Sequence, residues 1–513
     1  MTNAIRTVVI VGGGSAGWIT AGLLAAKHKA DGNLGLKITV IESPDIPTIG
    51  VGEGTWPTMR TTLRAIGVSE RDFVRCCSVS FKQGSKFCRW HKDDPDDFYY
   101  HPFDLPQGFH GGNVAEHWLA TPGHRSFSAT VCPQETLCER HRAPKLVTSP
   151  DYAGFTNYGY HLDAGAFSGF LREHCTQRLG VRHVADTMTG LQAAMNGDIE
   201  AIETRENGLM EGDLFIDCTG FHALLIGAHL GVGMKPMSHV LFPDTALAVQ
   251  SPYDEGAPVQ SVTVSTAQPA GWIWDVSLSS RRGIGHVYSS AHMNEDAAVD
   301  CVRRYLGKDE KSFGKLNVRK LAIGSGYRET FWNRNCVAVG LSAGFLEPLE
   351  ASALMLIEKS ANLIADNMPT TRDAMDIVAK RFNTRLHGLW SHIVHFLKLH
   401  YCLSERTEPF WVDNRKPESM PDELMDDLAL WAEQVPRPGE FGGPDEVFPA
   451  ASYQYVLYGM GFPTKPNPRG IPDGLKGFSE GQFATVERNA SRLKDMLPSN
   501  RELLDTLCSS DDV

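Results

Sequence analysis

Three short apolar runs in this chain end in glycine-rich turns, and that punctuation sets the expected architecture. The first, Arg6-Thr7-Val8-Val9-Ile10-Val11, is β-branched and feeds directly into Gly12-Gly13-Gly14-Ser15-Ala16-Gly17. The Ala- and Leu-rich stretch from Trp18 to His28 then predicts a helix. A neighbouring strand, Leu36-Lys37-Ile38-Thr39-Val40-Ile41, ends at Glu42. The second run is Asp213-Leu214-Phe215-Ile216-Asp217-Cys218-Thr219-Gly220. The third is Asn335-Cys336-Val337-Ala338-Val339-Gly340-Leu341, with Ser342-Ala343-Gly344 after it and a helix-prone stretch from Ala353 to Ala365. Turns this far apart predict one sheet assembled from distant segments rather than consecutive βαβ units. After Thr371, Val378, Phe382, Leu386, Leu389, Ile393, Phe396 and His400 recur at three- and four-residue steps and predict a long packing helix. Alternating runs between residues 235 and 320, such as Gly285-His286-Val287-Tyr288, predict a separate sheet, residues 436–468 read as loops, and Asp505 to Val513 read as a frayed tail.

The first turn has the spacing G-x-G-x-x-G, and each glycine has a physical task. Gly12 permits the tight turn, Gly14 lets a pyrophosphate approach the backbone, and Gly17 lets helix pack on strand, with Ser15 and Ala16 between them at the positive end of the helix. Glu42 stands where an acid would accept hydrogen bonds from a ribose. Strand, fingerprint, helix, second strand and terminal acid occur in order, which is far more specific than the fingerprint alone. The dispersed strands favour an FAD-binding oxidoreductase over a compact NAD domain.

At 513 residues the chain needs two domains, or one large α/β domain with an elaborate insertion. Hydrophobic content of 42%, charged content of 21% and a net charge of -12 are those of a soluble protein with neither a nucleic-acid nor an anionic-membrane partner. The 11 cysteines show no C-x-x-C pair and no zinc spacing, so they read as free thiols in a reducing cytoplasm. The first apolar run is broken by glycines, so it is neither a signal segment nor a membrane span. His387, His392, His395 and His400 lack a matched i,i+4 pair with a carboxylate partner, and no metal site is expected.

Four segments carry candidate chemistry. Trp272 and Trp274, in Ala270-Gly271-Trp272-Ile273-Trp274-Asp275-Val276, put two indoles on one face of a strand, either as a wall or as an aromatic pair closing a core. Lys82, in Ser78-Val79-Ser80-Phe81-Lys82-Gln83-Gly84, has apolar and aromatic neighbours that can hold an ammonium away from bulk water, although a snorkelling surface lysine has the same signature. Glu350 stands in Phe345-Leu346-Glu347-Pro348-Leu349-Glu350-Ala351 just before a helix, where acids commonly act as caps. Free amides at that same helix start can bind a small anion.

Together these segments resemble the flavin-dependent halogenases of the tryptophan-halogenase type over most of the chain. Gly12 to Gly17 resembles the family's FAD fingerprint, Ile49-Gly50-Val51-Gly52-Glu53 its flavin strap, Phe81-Lys82 the motif of its essential lysine, Trp272-Ile273-Trp274 its W-x-W-x-I-P signature, and Phe345 to Glu350 the motif of its catalytic glutamate. The resemblance implies an α/β fold. Its parts would be a Rossmann-like, GR2-type monooxygenase-like FAD module (residues 1–80, 150–235 and 320–370), an inserted substrate-side sheet region (81–149 and 236–319) and a largely helical C-terminal region covering the substrate (371–513). It further implies cofactor contacts at Gly50, Val51, Gly52, Leu341 and Leu354, halide held by the amides of Ser352 and Ala353, and an aromatic sandwich at His101 and Phe103.

The implied chemistry is chlorination or bromination of an indole-like aromatic. Reduced FAD and oxygen give a C4a-hydroperoxide, chloride or bromide attacks it, and hypohalous acid travels to the substrate. There Lys82 hydrogen-bonds it or forms a haloamine, Glu350 polarises the oxidant or removes the arenium proton, and the tryptophan wall suppresses hydroxylation. Electrons would come from a separate NAD(P)H-dependent flavin reductase, since the chain shows no second dinucleotide fingerprint. Acidic FAD enzymes of this size often form homodimers. Three departures from the family pattern stand out. Val276-Ser277 replaces Ile-Pro, Ala351 replaces a common Ser, and Phe448 and Ser452 stand where tryptophan-specific members have Trp and Asn, which favours an indole-like or larger aromatic over free tryptophan. The rival readings are a flavin-dependent aromatic hydroxylase, a flavin-binding protein without turnover and, less readily, an NAD-dependent dehydrogenase.

Overall fold

The computed structural model describes residues 4–28, 35–46, 52–121, 123, 125–441 and 446–509, and divides them into two compact units. One is formed by residues 1–79, 162–236 and 325–390, the other by 80–161, 237–324 and 391–513.

In the first unit the three punctuated runs lie side by side. Among the described residues, six strands form a sheet in the order Trp332–Asn333, Cys336–Ala338, Leu214–Asp217, Thr7–Val11, Lys37–Glu42 and Arg182–Ala185. All neighbours are parallel except the Trp332–Asn333 hairpin edge. Near-continuous burial of Val8, Val9, Ile10 and Val11 follows from a parallel sheet covered on both faces. Helix Ser15–His28 is buried without interruption from Gly17 to Ala25 and packs against helices Ala164–Arg178 and Ser352–Asp366. Among the described residues the unit also holds two small antiparallel sheets, one of Met188–Ala193, Ile199–Thr204 and Gly208–Glu211, the other of Met234–Pro236, Gly326–Arg328 and Gly344–Phe345.

The second unit is organised by a sheet of seven described strands in the order Arg319–Ala322, Thr245–Ser251, Arg282–Tyr288, Gly271–Ser277, Thr263–Gln268, Gly84–Cys88 and Phe98–Pro102. Its neighbours are antiparallel apart from the parallel pair Thr263–Gln268 and Gly84–Cys88. One face carries Leu247, Ile273 and Ile284 into a core with Ala298 and Val302 of helix Glu295–Tyr305. Trp272 and Trp274, one residue either side of Ile273, therefore point from the opposite face.

The stripe read after Thr371 is one helix, Arg372–Cys402, with Phe382, Leu386, Leu389, Ile393, Phe396 and His400 buried. Two sequence expectations are corrected. The loop region 436–468 contains helix Ala450–Gly459, buried from Ala450 to Tyr458; a helix covered all round has no polar face and hence no amphipathic period. The frayed tail is also shorter, because Asp505 lies within helix Asn500–Ser509, where Leu503, Leu504 and Leu507 are buried. None of the cysteines is joined in a disulfide, and among the described residues no helix is long and apolar enough to cross a membrane.

Candidate active site

In the first unit the fingerprint glycines are distinguished by what a side chain would meet. A Cβ on Gly12, whose φ is +115°, would lie 2.1 Å from the Cys218 carbonyl oxygen, and one on Gly17 would lie 2.0 Å from the Gly12 oxygen. A Cβ on Gly14 would meet nothing within 4 Å. Two glycines thus serve chain packing while the central one faces open space, the arrangement a pyrophosphate needs at a helix start. No acidic residue stands in the first turn of helix Ser15–His28. The Ser15 hydroxyl is 3.2 Å from that of Ser168, and the Ala16 Cβ is so close to Gly340 that a side chain there would approach to 2.7 Å. That contact brings the turn Gly340–Ser342, with half-buried Leu341, to the same helix start. Glu42 closes the other side: a Cβ on Gly13 would strike its carboxyl carbon at 2.2 Å, and its carboxylate lies 3.0 Å from His183 Nε2. These residues fit the pyrophosphate and ribose of FAD. Gly50 and Val51 lie outside the described residues, while Gly52 is buried in strand Gly52–Gly54.

Still in this unit, Glu350 and Ala351 are consecutive non-glycine residues in left-handed conformation, with φ of 63° and 53°. Such backbone costs on the order of 1–2 kcal/mol per residue and persists only where its surroundings enforce it. Trp56 Nε1 donates to the Glu350 carbonyl at 2.7 Å, and the Ala351 amide donates to Pro348 O at 2.9 Å. The strained turn sets up helix Ser352–Asp366 with Ala351 as N-cap, a residue whose methyl cannot cap. The amides of Ser352 and Ala353 thus open the helix unblocked by a cap side chain, and Leu354, buried, follows in the same turn. Glu350 itself is buried in the short 3-10 turn Leu349–Ala351 and so precedes the first turn of helix Ser352–Asp366.

In the second unit Lys82 is 1% exposed, which removes the snorkelling reading. It ends strand Ser80–Lys82, paired antiparallel with Gly159–Asp163 in the register Ser80 to His161, Phe81 to Tyr160 and Lys82 to Gly159. Facing a glycine leaves the lysine stem room on the sheet surface. Its Nζ lies 5.3 Å from the centroid of the Phe103 ring. The strand is fixed by Asn500, whose side chain donates to Phe81 O at 3.0 Å and accepts from Phe81 N at 3.4 Å. His101 Nε2 is 2.9 Å from the Ser452 hydroxyl, and the ring is tilted against Phe448 at 6.3 Å and Phe396 at 5.6 Å. Phe396 and Phe448 stack at 3.7 Å.

Both tryptophans are buried, with ring centroids 6.3 Å apart, and Trp272 also meets Trp90 at 6.2 Å. Gly285 pairs with Trp274, and a Cβ there would fall 1.9 Å from the indole. The structure thus brings together Lys82 with Phe103, His101 with Phe448 and Ser452, and Trp272 with Trp274. Asn500 and His161 escaped the sequence reading, because their partners lie far away in the chain. Among the described residues no cluster of His, Cys, Asp or Glu could hold a metal ion; His387 instead hydrogen-bonds Glu329 O at 3.0 Å and His400 is 2.6 Å from the Tyr99 hydroxyl.

Residues 7–471 match the family described as tryptophan halogenase. The chain is 32% identical to the tryptophan 6-halogenase ThaL of Streptomyces albogriseolus, across 98% of this chain and 99% of the relative. The crystal structure of a tryptophan halogenase from Shewanella frigidimarina NCIMB 400 is 47% identical, with a TM-score of 0.96 and coverage of 99% of this chain and 98% of that one. BrvH, a flavin-dependent halogenase from Brevundimonas sp. BAL3, is 31% identical with a TM-score of 0.86, covering 98% and 100%. The chain belongs to the tryptophan halogenase family and is, as a member of it, an enzyme, an FADH2-dependent halogenase acting with O2.

Proposed function

We propose that this enzyme halogenates an indole-like aromatic, with Lys82 directing hypohalous acid and Glu350 assisting. The observation that carries the reading is a fully buried ammonium beside an aromatic ring, on a strand that a C-terminal helix residue holds in place. Gly12, Gly14, Ser15, Ala16, Gly17 and Glu42 would hold the pyrophosphate and ribose of FAD, with Gly50, Val51, Gly52, Leu341 and Leu354 along the rest of the cofactor. When bound, reduced FAD supplies the electrons with which dioxygen oxidises halide. The nucleotide side is of the GR2 monooxygenase-like kind in this reading, and the second unit supplies the substrate side.

The chain's own groups then have separate tasks. The amides of Ser352 and Ala353 hold chloride or bromide at the positive end of a helix. Lys82 donates a hydrogen bond to hypohalous acid or carries the halogen as a haloamine, so that one carbon is attacked. Glu350 polarises the oxidant or takes up the proton that the ring loses. Trp272 and Trp274 keep substrate from direct oxygenation. His101 and Phe103 sandwich the aromatic ring, with Phe448 and Ser452 alongside. The Ser452 hydroxyl is engaged by His101, which supports an indole-like or larger aromatic over free tryptophan. A separate NAD(P)H-dependent reductase supplies reduced flavin, as the family requires.

The test supplies reduced FAD, oxygen and bromide with a panel of indoles and reads product masses. A monobrominated isotope doublet is expected. Hydroxylated product without bromine would replace the reading by an aromatic hydroxylase.

A further inference from the structure

Several buried polar groups lie outside the residues assigned so far. Glu358 accepts from Thr62 and Thr58, Lys398 donates to Asn414 and Val240 O, His286 sits in the apolar sheet core bonded to Ala298 O, and His161 lies on the strand beside Lys82. Of these four, His161 shares a sheet face with the lysine. Ser80 and Lys82 are two residues apart and point the same way, and His161 stands directly opposite Ser80, so imidazole and ammonium are diagonal neighbours.

The hydrogen bonds around His161 fix its tautomer. The Ser80 hydroxyl donates to Ser277 O, so its oxygen is an acceptor toward His161 Nδ1, 3.3 Å away. With its proton committed to Ser277 O, the hydroxyl offers Nδ1 none, so Nδ1 carries one. Nε2, 2.8 Å from the Thr263 hydroxyl, is then the acceptor of a neutral ring. Complete burial drives the imidazole well below its ordinary pKa, and the charge of Lys82 drives it further.

These contacts give the ring a mechanical role. Ser277 ends the strand that carries Trp272 and Trp274, and Thr263 begins the strand beside it. We propose that His161 is a positioning residue for Lys82: as a neutral Nδ1–H imidazole it clamps the lysine strand to these two strands and fixes the ammonium without setting a second positive charge beside it. The proposal rests on the role given to Lys82 above.

The test compares full-length wild type with His161→Phe, His161→Asn and Lys82→Ala, using reduced FAD from a flavin reductase, bromide and an accepted indole. Three quantities are read: kcat and KM for brominated product, flavin affinity, and hypobromite escaping to a 1,3-diketone trap. His161→Phe is expected to lower kcat by about 10- to 100-fold, the usual loss when an orienting partner is removed. KM and flavin affinity stay near wild type while escape to the trap rises. His161→Asn keeps a donor at the Nδ1 position and recovers most of kcat.

A folded His161→Phe with wild-type kcat and escape overturns the proposal, as does a loss of flavin affinity in proportion to activity. Should His161→Phe fail to fold, Ser80→Ala and Thr263→Val each remove one hydroxyl of the clamp; the same split is expected of them, and wild-type kinetics in both overturns the proposal. Normal bromination by Lys82→Ala would instead remove the reading of Lys82 itself, whereas an inactive Lys82→Ala beside a fully active His161→Phe removes the clamp alone.

Discussion

In the unit of residues 1–79, 162–236 and 325–390, the candidate groups act mainly through the main chain: the turn at Gly12, Gly14 and Gly17, and the amides of Ser352 and Ala353 beyond a left-handed pair. In the other unit they act through side chains: a buried lysine, a bonded His101 and Ser452, two stacked phenylalanines and two tryptophans. A main-chain site is built by local geometry, so steric substitutions should damage it wherever packing is tight. A side-chain site is built by register between distant strands, so it should fail by loss of a single functional group while the fold survives.

The largest contrast is expected at Lys82. Lys82→Ala should bind flavin and consume oxygen as wild type does, while halogenated product falls by on the order of 1000-fold, within the range a positioned proton donor supplies. Parallel flavin titration and product mass spectrometry check it. Equal loss of flavin affinity would show that the lysine serves the fold.

Next comes the glycine pair, which tests the main-chain site directly. Gly17→Ala places a methyl 2.0 Å from the Gly12 oxygen, a backbone atom with nowhere to go. It should cost about 1–3 kcal/mol of stability, or more, by overpacking. Gly14→Ala places its methyl in open space, so its melting curve should overlay wild type while flavin affinity falls by about tenfold, roughly 1.4 kcal/mol. Denaturant melts with flavin titrations separate the two. If Gly14→Ala also loses stability, the open cradle is not there.

The same contrast decides which parts of the molecule are legible in the sequence. The fingerprint is legible because its glycine spacing and the close approach of Gly17 to Gly12 lie within a few residues, although Gly12 also meets Cys218, Gly13 meets Glu42 and Ala16 meets Gly340. The three punctuated strands were legible because each carries its own apolar run and turn. Lys82 was visible as a motif, but its burial was not, since that depends on pairing with Gly159 and on Asn500 more than four hundred residues away. Helix Ala450–Gly459 was hidden for a different reason: burial on every side erases the polar face that signals a helix.

A pH-dependent effect of similar size belongs to the main-chain unit. Glu358, 2% exposed on the helix that begins at Ser352, is pushed up to about 8, chiefly by desolvation. Hydrogen bonds from Thr62 and Thr58 and the charge of Lys359 oppose that rise. A folded-state pKa above the unfolded value means the folded chain holds the proton longer. The stability this gives is complete below about pH 4.5 and is lost as pH rises through about 8. Between pH 6 and 8 wild type should lose about 2–3 kcal/mol from this group. Glu358→Gln keeps an acceptor but no titration, so its stability should be flatter with pH. Equal slopes in urea melts across this range would assign the pH dependence elsewhere.

The smallest expected effect is also the most direct probe of the tryptophan strand. Gly285 stands opposite Trp274, and an added methyl would meet Cζ2 and Cη2 of the indole at 1.9 and 2.0 Å. Those atoms belong to the outer ring, which phenylalanine lacks. Gly285→Ala alone should therefore cost about 1–3 kcal/mol, whereas in a Trp274→Phe background the same methyl finds space. The double-mutant cycle should show a coupling of about 1 kcal/mol in the relieving direction. If the indole also shields substrate from direct oxygenation, Gly285→Ala should release hydroxylated by-product, because the wall moves while both tryptophans remain. Strictly additive stabilities would show that the strand absorbs the methyl by shifting its backbone. The side-chain site would then be softer than its register suggests.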